Sequence, residues 1–269
     1  MAHTIYSNFY LSNEVEDTYK SHLDLQPFCT IDNNLVGTPG MIRKINRYTA
    51  TDATQKLAMG AGNTQSIEVS YTQKEYTILL AQNRFQYFDE QAMTDPMLVP
   101  VGTRQMGIDL FNTVTADIYN EFNEATLAVA ATSYGFDMFA DAVALMNIEG
   151  TDNDPAQIAP MAFAFASPKA IAKIRKNCKE ELKYVEAFVR TGYVGTLAGV
   201  NIYAKKNAAD NTIIVATNKA VTLFNKKGVE IEQQREPNTR QNSIYSRKYY
   251  SAARTYATKA VKITVTETP

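Results

Sequence analysis

The chain has 269 residues and a mass of 30.0 kDa, enough for one large domain or two modest ones whose core needs neither disulfides nor a metal. Two cysteines (Cys29 and Cys178) exclude a disulfide scaffold, and two histidines (His3 and His22) leave almost no candidates for histidine-based catalysis or metal ligation. The amino-terminal residues lack a signal-peptide pattern, and no apolar window is long enough to span a membrane. We therefore expect a soluble, structural protein from a reducing compartment, with no cofactor.

The formal net charge of −1 conceals an uneven distribution. Residues 1–160 hold 8 Lys and Arg against 20 Asp and Glu, a net charge of −12, whereas residues 161–269 hold 19 against 8, a net charge of +11. There is no run of five basic residues, so a dedicated DNA-binding face is not expected. Either the two halves neutralise each other within the chain, or neighbouring copies meet through them; the two interpretations are compatible.

The first third of the chain predicts extended structure. Residues 1–35 are polar with scattered aromatic side chains and no sustained period, which predicts an arm that orders only against a partner. Residues 36–95 contain several short runs of alternating apolar and polar side chains, typical of strands. We predict a long antiparallel hairpin with a basic strand at 41–48 and a mobile tip at 51–63.

A long helix is predicted over residues 101–127, roughly 40 Å at about 1.5 Å per residue. Apolar side chains step through this region and slightly beyond it by three or four positions, which indicates one buried helix face. The positions of this stripe are Phe111, Val114, Ile118, Phe122, Ala125 and Val129. The length is far above that of an average globular helix, so we expect a structural spine.

The second half predicts a compact α/β unit. A short helix is expected at 137–147, followed by a small-apolar strand at 161–166. Ser167 is placed to cap the next helix and Pro168 to occupy its first position, with Cys178 as a buried structural thiol on its apolar stripe. The remaining predicted elements are strands at 200–203 and 213–216, a short helix or turn at 220–224, and a β-rich ending.

Two carboxylate pairs are the main candidates for catalysis, Asp89 with Glu90 and Asp152 with Asp154. Both lie in polar turns, where we expect solvated acids, and neither offers the ligand series of a calcium loop. A glycosidase pair is defined in space, not by sequence spacing, so this chemistry stays open. We predict that the chain is not an enzyme.

Three stretches of the second half, in this order and spacing, resemble a known family. They are FASPKAIAKIRK at 165–176, GYVGTLAGVNIYAKK at 192–206, and the Arg- and Tyr-rich ending from Val229 to Val265 with its final A-V-K-I strand. Together with the arm, the hairpin and the spine, they resemble tailed-bacteriophage major capsid proteins. The resemblance implies the Hong Kong 97-type α+β coat fold, which encapsulin shells share.

The resemblance also implies a division of the chain into regions. Its expected parts are an amino-terminal arm at 1–35, an extended hairpin loop at 36–95, a peripheral domain with the spine at 96–135 and 228–257, and an axial α/β domain at 136–227 and 258–269. In such coats the hairpin reaches over a neighbouring subunit, while the axial domain lines the local symmetry axis.

The implied function is self-assembly into hexamers and pentamers that form an icosahedral head around double-stranded DNA, without sequence-specific DNA binding or membrane contact. Assembly would take place in the bacterial host cytoplasm, with scaffolding, portal and decoration proteins as further partners. One alternative is an encapsulin-like compartment that carries enzymes instead of a genome. An alternative of another class is a β-rich carbohydrate-processing enzyme that uses a carboxylate pair.

Charged residues on the hairpin and the spine are the candidates for contacts between subunits. The alternative for each is an ordinary solvated surface charge. Covalent cross-linking through the lysine at the hairpin tip has no identifiable acceptor. The candidates are three bases of the hairpin, the tip lysine, and three acids on the spine or its approach: Arg43, Lys44, Arg47, Lys56, Asp95, Asp109 and Glu121.

Overall fold

The computed structural model describes residues 24–95, 97–146, 162–178 and 195–266. The predictions for residues 1–23 and for Asp152 and Asp154, and the first three residues of the 192–206 stretch, lie outside the described residues. The elements are, in chain order, β1 Thr30–Asp32, β2 Ile42–Ala50, β3 Val69–Thr77, β4 Leu79–Phe88, α1 Asp89–Thr94, α2 Leu98–Asn123, β5 Leu127–Ala131, α3 Phe136–Leu145, β6 Ala162–Ala166, α4 Pro168–Asn177, β7 Thr196–Leu197, β8 Val200–Ala204, β9 Thr212–Thr217, β10 Val221–Glu236, β11 Gln241–Arg254 and β12 Ala260–Val265.

The strands of the described residues form three sheets. A six-stranded mixed sheet has the order β5-β12-β9-β6-β8-β7, a four-stranded sheet has the order β1-β10-β11-β4, and β2 and β3 pair only with each other. The long strands β10 and β11 form an antiparallel ribbon whose register shifts around Lys227. The fold is therefore α+β, as the sequence predicts.

Strand β6 separates the two larger hydrophobic cores. All five residues of its sequence AFAFA are buried. The alanines pack in the core beneath α3 and α4, whereas Phe163 and Phe165 pack in the core beneath α2. Because successive side chains of a strand point to opposite faces, alternating small and large residues fit a helical layer on each side. Ser167 then caps α4, its Oγ accepting from the Ala170 N–H at 3.1 Å, as predicted.

The predicted spine is α2, which has 26 residues and packs between the four-stranded and the six-stranded sheet. Phe111, Val114, Ile118 and Phe122 are all buried, so the predicted face is confirmed. The predicted boundaries are wrong by three or four residues, because the helix starts at Leu98 and ends at Asn123. Hence Ala125 and Val129 lie beyond the helix. Val129 lies in β5, where its partly buried side chain belongs to the alternating pattern of a strand.

Gly102 lets the four-stranded sheet approach the start of α2. A Cβ atom at this position would lie 2.4 Å from Cζ of Phe85, in β4. The Phe85 ring in turn stacks on Tyr87, with 5.6 Å between ring centroids. The close approach seals a third, smaller core between α2, β4 and the distal part of the ribbon.

The prediction that the arm orders only against a partner is wrong for its described part. Leu25 is fully buried and Cys29 nearly so, both in the core beneath α2. Burial, and next the charge of Asp24, raises the pKa of the Cys29 thiol to about 12. Strand β1 then pairs in parallel with the start of β10. These residues are part of the folded body of the chain, because their apolar side chains complete its core.

Two further sequence predictions need correction. The two-stranded hairpin ends at Thr77, because β4 leaves it and pairs with β11 along ten residues. Residues 220–224 form no short helix or turn: Ala220 precedes β10, and residues 221–224 are its first four residues. They are buried there, which explains why their apolar run has no strand-like alternation.

Candidate assembly surface

The hairpin of β2 and β3 has two different faces. Residues directly opposite in an antiparallel pair share a face, so Tyr48 with Tyr71, and Ala50 with Val69, lie together near the tip. Tyr48, Val69 and Tyr71 are 67, 65 and 64% exposed, and we call these three residues the outward patch. Nearer the base, the same face carries the ion pair of Lys44 and Glu75, with 2.6 Å between the charged atoms.

The opposite face is attached to its own subunit through three side chains. Arg43 Nε lies 3.1 Å from a carboxylate oxygen of Asp32. The Tyr76 ring stacks on Phe224 of β10, with centroids 5.0 Å apart. We call Arg43, Arg47 and Tyr76 the hairpin root.

Arg47 makes the contact of the root farthest along the hairpin. Its guanidinium donates to the Thr255 carbonyl and lies over the Tyr256 ring, 4.2 Å from the centroid. A planar guanidinium can form this hydrogen bond and stack on a ring at the same time, which an ammonium group does less well. The root therefore sets the direction in which the hairpin leaves the subunit.

Several of the predicted contact residues have partners inside the same chain. The Glu121 carboxylate accepts from the Arg254 backbone N–H at 2.9 Å. Asp109 accepts from the Asn83 side chain at 3.1 Å, and Asp95 accepts from the Met97 backbone N–H at 3.0 Å. Arg43, Lys44 and Arg47 also have partners within the chain. Lys56 is the one candidate that has no partner among the described residues, and it is exposed at the tip.

Burial raises the pKa of the Glu121 carboxyl. The nearby negative charges of Glu124 and Asp117 raise it further, whereas the backbone N–H and the positive charge of Arg254 lower it. Asp117 in turn accepts from the Tyr250 hydroxyl at 2.6 Å. These acids thus join the spine to β11 beside the hairpin root.

Sequence reasoning missed an exposed apolar strip at the junction of α1 and α2. Met93, Met97 and Val101 are 76, 63 and 59% exposed. The same junction also has a groove of about 560 Å³ whose lining includes Glu90, Asp95 and Leu98. The four-residue spacing of the three apolar positions is visible in the sequence, but nothing in the sequence distinguishes an exposed strip from a buried one.

The carboxylate pair of Asp89 and Glu90 has a structural role. Asp89 lies 2.7 Å from an Arg235 guanidinium nitrogen and also accepts from the Asn242 amide. Glu90 lies 2.9 Å from Arg240 Nε. The expectation of solvated acids therefore holds for Glu90, whose side chain is 53% exposed, but not for Asp89, which is 25% exposed and pairs with the end of the β10–β11 ribbon. These two pairs also join the acidic half of the chain to the basic half.

Comparisons with solved structures agree with this architecture. The chain matches a chain of Mycobacterium phage Che8 with 16% identity and a TM-score of 0.66, over 87% of this chain and 88% of that one. It matches the mature capsid of bacteriophage PhiM1 with 12% identity and a TM-score of 0.72, over 92% and 89%. It also matches the virus-like particle from Pyrococcus furiosus with 14% identity and a TM-score of 0.63, over 96% and 100%.

No family model matches the chain, and no curated protein matches it. The structural likeness nevertheless spans most of the chain and includes the capsids of several phages. The chain therefore has the Hong Kong 97-type capsid fold, as the sequence resemblance implies. No helix among the described residues is long and apolar enough to cross a membrane.

Proposed function

We propose that this chain is the major capsid protein of a tailed phage, which assembles into hexamers and pentamers and closes an icosahedral head around double-stranded DNA. The observation that carries the proposal is the outward patch on an isolated two-stranded hairpin, within a capsid fold. Two strands alone are marginally stable in water. Exposed apolar side chains in a patch mark an interaction surface, and a neighbouring copy would cover it.

The surface that receives the hairpin is, in this proposal, the strip at the α1–α2 junction of a neighbour. The hairpin tip exposes Leu57 and Met59 next to Lys56. The strip exposes Met93 and Met97 next to acids of the adjoining groove, including Asp95. Apolar side chains with a basic neighbour would thus meet apolar side chains with an acidic neighbour.

The same proposal assigns the regions of the fold. The four-stranded sheet with α2 would be the peripheral domain, and the six-stranded sheet with α3 and α4 the axial domain. This assignment departs from the sequence boundaries at four strands: β1 and β4, expected in the arm and the hairpin loop, and the start of β10, expected in the axial domain, would be peripheral, whereas β5, expected in the peripheral domain, would be axial. Assembly in the host cytoplasm, with scaffolding, portal and decoration proteins, belongs to the proposal. No enzymatic activity is part of it.

Electron microscopy of the expressed protein tests the proposal, with closed shells as the expected result. Tyr71→Glu should prevent shells while the subunit keeps its melting temperature, because the side chain is exposed in the subunit. Gln73→Glu is the matched control, since Gln73 lies two residues along the same strand and on the same exposed face, and it should assemble. A wild-type chain that stays monomeric at high concentration would contradict the proposal.

An encapsulin-like compartment is the second candidate, supported by the match to the Pyrococcus furiosus virus-like particle over its whole length. Particles isolated from the natural source decide between the two. Nuclease-protected double-stranded DNA inside them supports a phage head. A co-purifying enzyme in place of DNA supports a compartment.

A further inference from the structure

A pocket of about 350 Å³ lies between the carboxy-terminal half of α2 and the loop that joins β8 to β9. Its polar lining consists of Tyr119, Asn120, Asn123, Lys205, Asn207 and Thr212. Among the described residues, none that lines the pocket is acidic. The pocket therefore combines a positive charge with amide groups and contains no compensating negative charge of its own.

Lys205 is the charged group of this pocket. Its ammonium lies 5.4 Å from the centroid of the Tyr119 ring, and its backbone N–H donates to the Ala166 carbonyl at 2.8 Å, which fixes the start of the side chain. Burial lowers the pKa of Lys205. The ammonium has no ion pair with any of the residues that the structure describes. Burial disfavours a charged ammonium, and Lys205 has no carboxylate beside it to offset that cost.

Three asparagine side chains around Lys205 are also free to donate hydrogen bonds to a ligand in the pocket. Asn120 and Asn123 lie one turn apart on the last turns of α2, and Asn207 faces them from the loop. These three side chains make no hydrogen bond with any residue in the described ranges. Each amide offers two N–H donors, and the ammonium offers three. A carboxylate accepts hydrogen bonds only, and its bonds to charged donors are about twice as strong as those between neutral groups.

We propose that this pocket receives an Asp or Glu side chain of a second copy of the chain, which forms an ion pair with Lys205 and accepts hydrogen bonds from the surrounding amides. This inference rests on the proposed function, because it requires assembly. The chain has acids to supply the contact: Asp137 and Asp141 on α3 are exposed and have no ion pair with a described residue. More broadly, residues 1–160 carry a net charge of −12 and the pocket lysine lies in the basic half.

A zero-length carbodiimide tests the contact directly. The carbodiimide adds to a carboxyl group to form an O-acylisourea. The Lys205 amine then attacks its acyl carbon, the acyl C–O bond breaks, and an amide forms while the reagent leaves as a urea that carries the water lost between the two side chains. Particles assembled from a mixture of ¹⁵N-labelled and unlabelled chains should give peptides in which Lys205 is joined to an acid of the other isotope. Links at Lys205 only within one copy, or no link at all, would overturn the inference.

Lys205→Met and Lys206→Met form a matched pair, because the two lysines are adjacent and Lys206 is exposed outside the pocket. Lys205→Met should raise the subunit concentration needed for assembly by about tenfold, the equivalent of roughly 1.4 kcal/mol. Lys206→Met should leave that concentration unchanged, and both subunits should melt like the wild type. Equal assembly by the two variants would contradict the inference.

Lysine acylation distinguishes a second copy from a free carboxylate. In particles, Lys205 should be protected from an acylating reagent relative to dissociated subunits, while Lys206 should react equally in both. Protection of Lys205 by acetate in dissociated subunits, at concentrations that do not change Lys206, would show a small-molecule site and overturn the inference. A wild-type chain that forms no particles would contradict the proposed function, whereas particles with an unprotected Lys205 would contradict only this inference.

Discussion

Strands β6 and β2 show two different ways in which this chain stabilises a strand. Every residue of β6 is buried, whereas β2 and β3, which the structure describes in full, contain no fully buried residue. Strand β6 is stabilised by side-chain burial on both faces. The hairpin has its backbone pairing and the hairpin root, so further burial has to come from another molecule. Mutations in the two regions should therefore affect different properties: subunit stability in the first, and assembly in the second.

The largest effect is expected at Ile118, which is fully buried in the core between α2 and the six-stranded sheet. Ile118→Asp should abolish soluble expression, because a buried unpaired carboxylate costs far more than the few kcal/mol by which a domain is stable. Asn120→Asp, two residues along the helix and exposed, should express normally. Equal solubility of the two variants would show that the assignment of the buried face is wrong.

A smaller effect on the same helix is expected from Gly102→Ala. The new Cβ atom would lie within 2.4–2.6 Å of the Phe85 ring, which has to move. Overpacking costs about 1–3 kcal/mol, and the better helix propensity of alanine returns about 1 kcal/mol. We expect a net loss of about 1 kcal/mol by chemical denaturation. Gly62→Ala, where the added atom meets nothing within 4 Å, is the control.

Deletion of Asp52–Asn63 should lower the melting temperature of the subunit only slightly. Of these twelve tip residues, Ala53 alone is buried, and the hydrogen bond from Thr51 N–H to the Glu68 carbonyl lies outside the deletion. Shell formation should fail, because Lys56, Leu57 and Met59 are removed. Calorimetry of the subunit and light scattering of assembly measure the two effects. A large loss of subunit stability would mean that the tip contributes to a core.

Glu121 provides a weak test of how tightly the spine and β11 are joined beside the hairpin root. Its pKa in the folded chain is raised above 4.5, mainly by burial. The folded chain therefore binds this proton more tightly than the unfolded chain, so the carboxylate reduces stability as the pH rises through its folded pKa and no longer does so below 4.5.

Glu121→Gln keeps an acceptor for the Arg254 N–H and removes the charge. The melting temperature of Glu121→Gln should therefore fall less between pH 4.5 and pH 7 than that of the wild type. The difference should be small, because the Glu121 side chain is only half-buried. Asp137→Asn, at an exposed site on α3, should leave that profile unchanged. A steeper profile in Glu121→Gln would contradict the direction of the shift.

Salt should leave the subunit almost unaffected. The ion pairs of its surface, such as Lys44–Glu75 and Lys169–Asp210, are exposed, so water and salt screen them and they add little to stability. Contacts between acidic and basic regions of different copies repeat at every interface of a shell, and 1 M salt limits their reach to about 3 Å. Assembly should weaken from 0.05 to 1 M NaCl while the melting temperature stays constant. Assembly that salt strengthens would show that apolar burial dominates.

The sequence predicts well those elements whose side-chain pattern is set within the element itself. The stripe through Ile118 and the cap at Ser167 identify α2 and α4, because burial on one face and capping are local properties. The pattern of residues 220–224 predicts a short helix or turn, because a fully buried strand such as the start of β10 has no alternation. The pairing of β4 with β11 depends on residues about 160 positions apart, and no local pattern reports it.

The candidate surface was predictable only as a region. The charges of the hairpin are evident in the sequence, but the partners of Arg47 and Glu121 lie at Thr255 and Arg254, which are more than 130 positions away. Several charges that the sequence offers as candidates for contacts between copies therefore have partners within the chain, and their role between copies stays a prediction. The exposed methionines were missed for the converse reason, since methionine spacing alone predicts a core.

The burial of strand β6 on both faces also has a consequence for the order of folding and assembly. Because β6 contributes side chains to both cores, disrupting one core should destabilise the other. The body of the subunit should therefore fold in a single cooperative step. What is left to arrange afterwards is the hairpin, already aimed by Arg43, Arg47 and Tyr76. Each copy would then meet its neighbours already folded. Defects in a larger assembly would therefore arise at the contacts between copies and not from misfolded subunits.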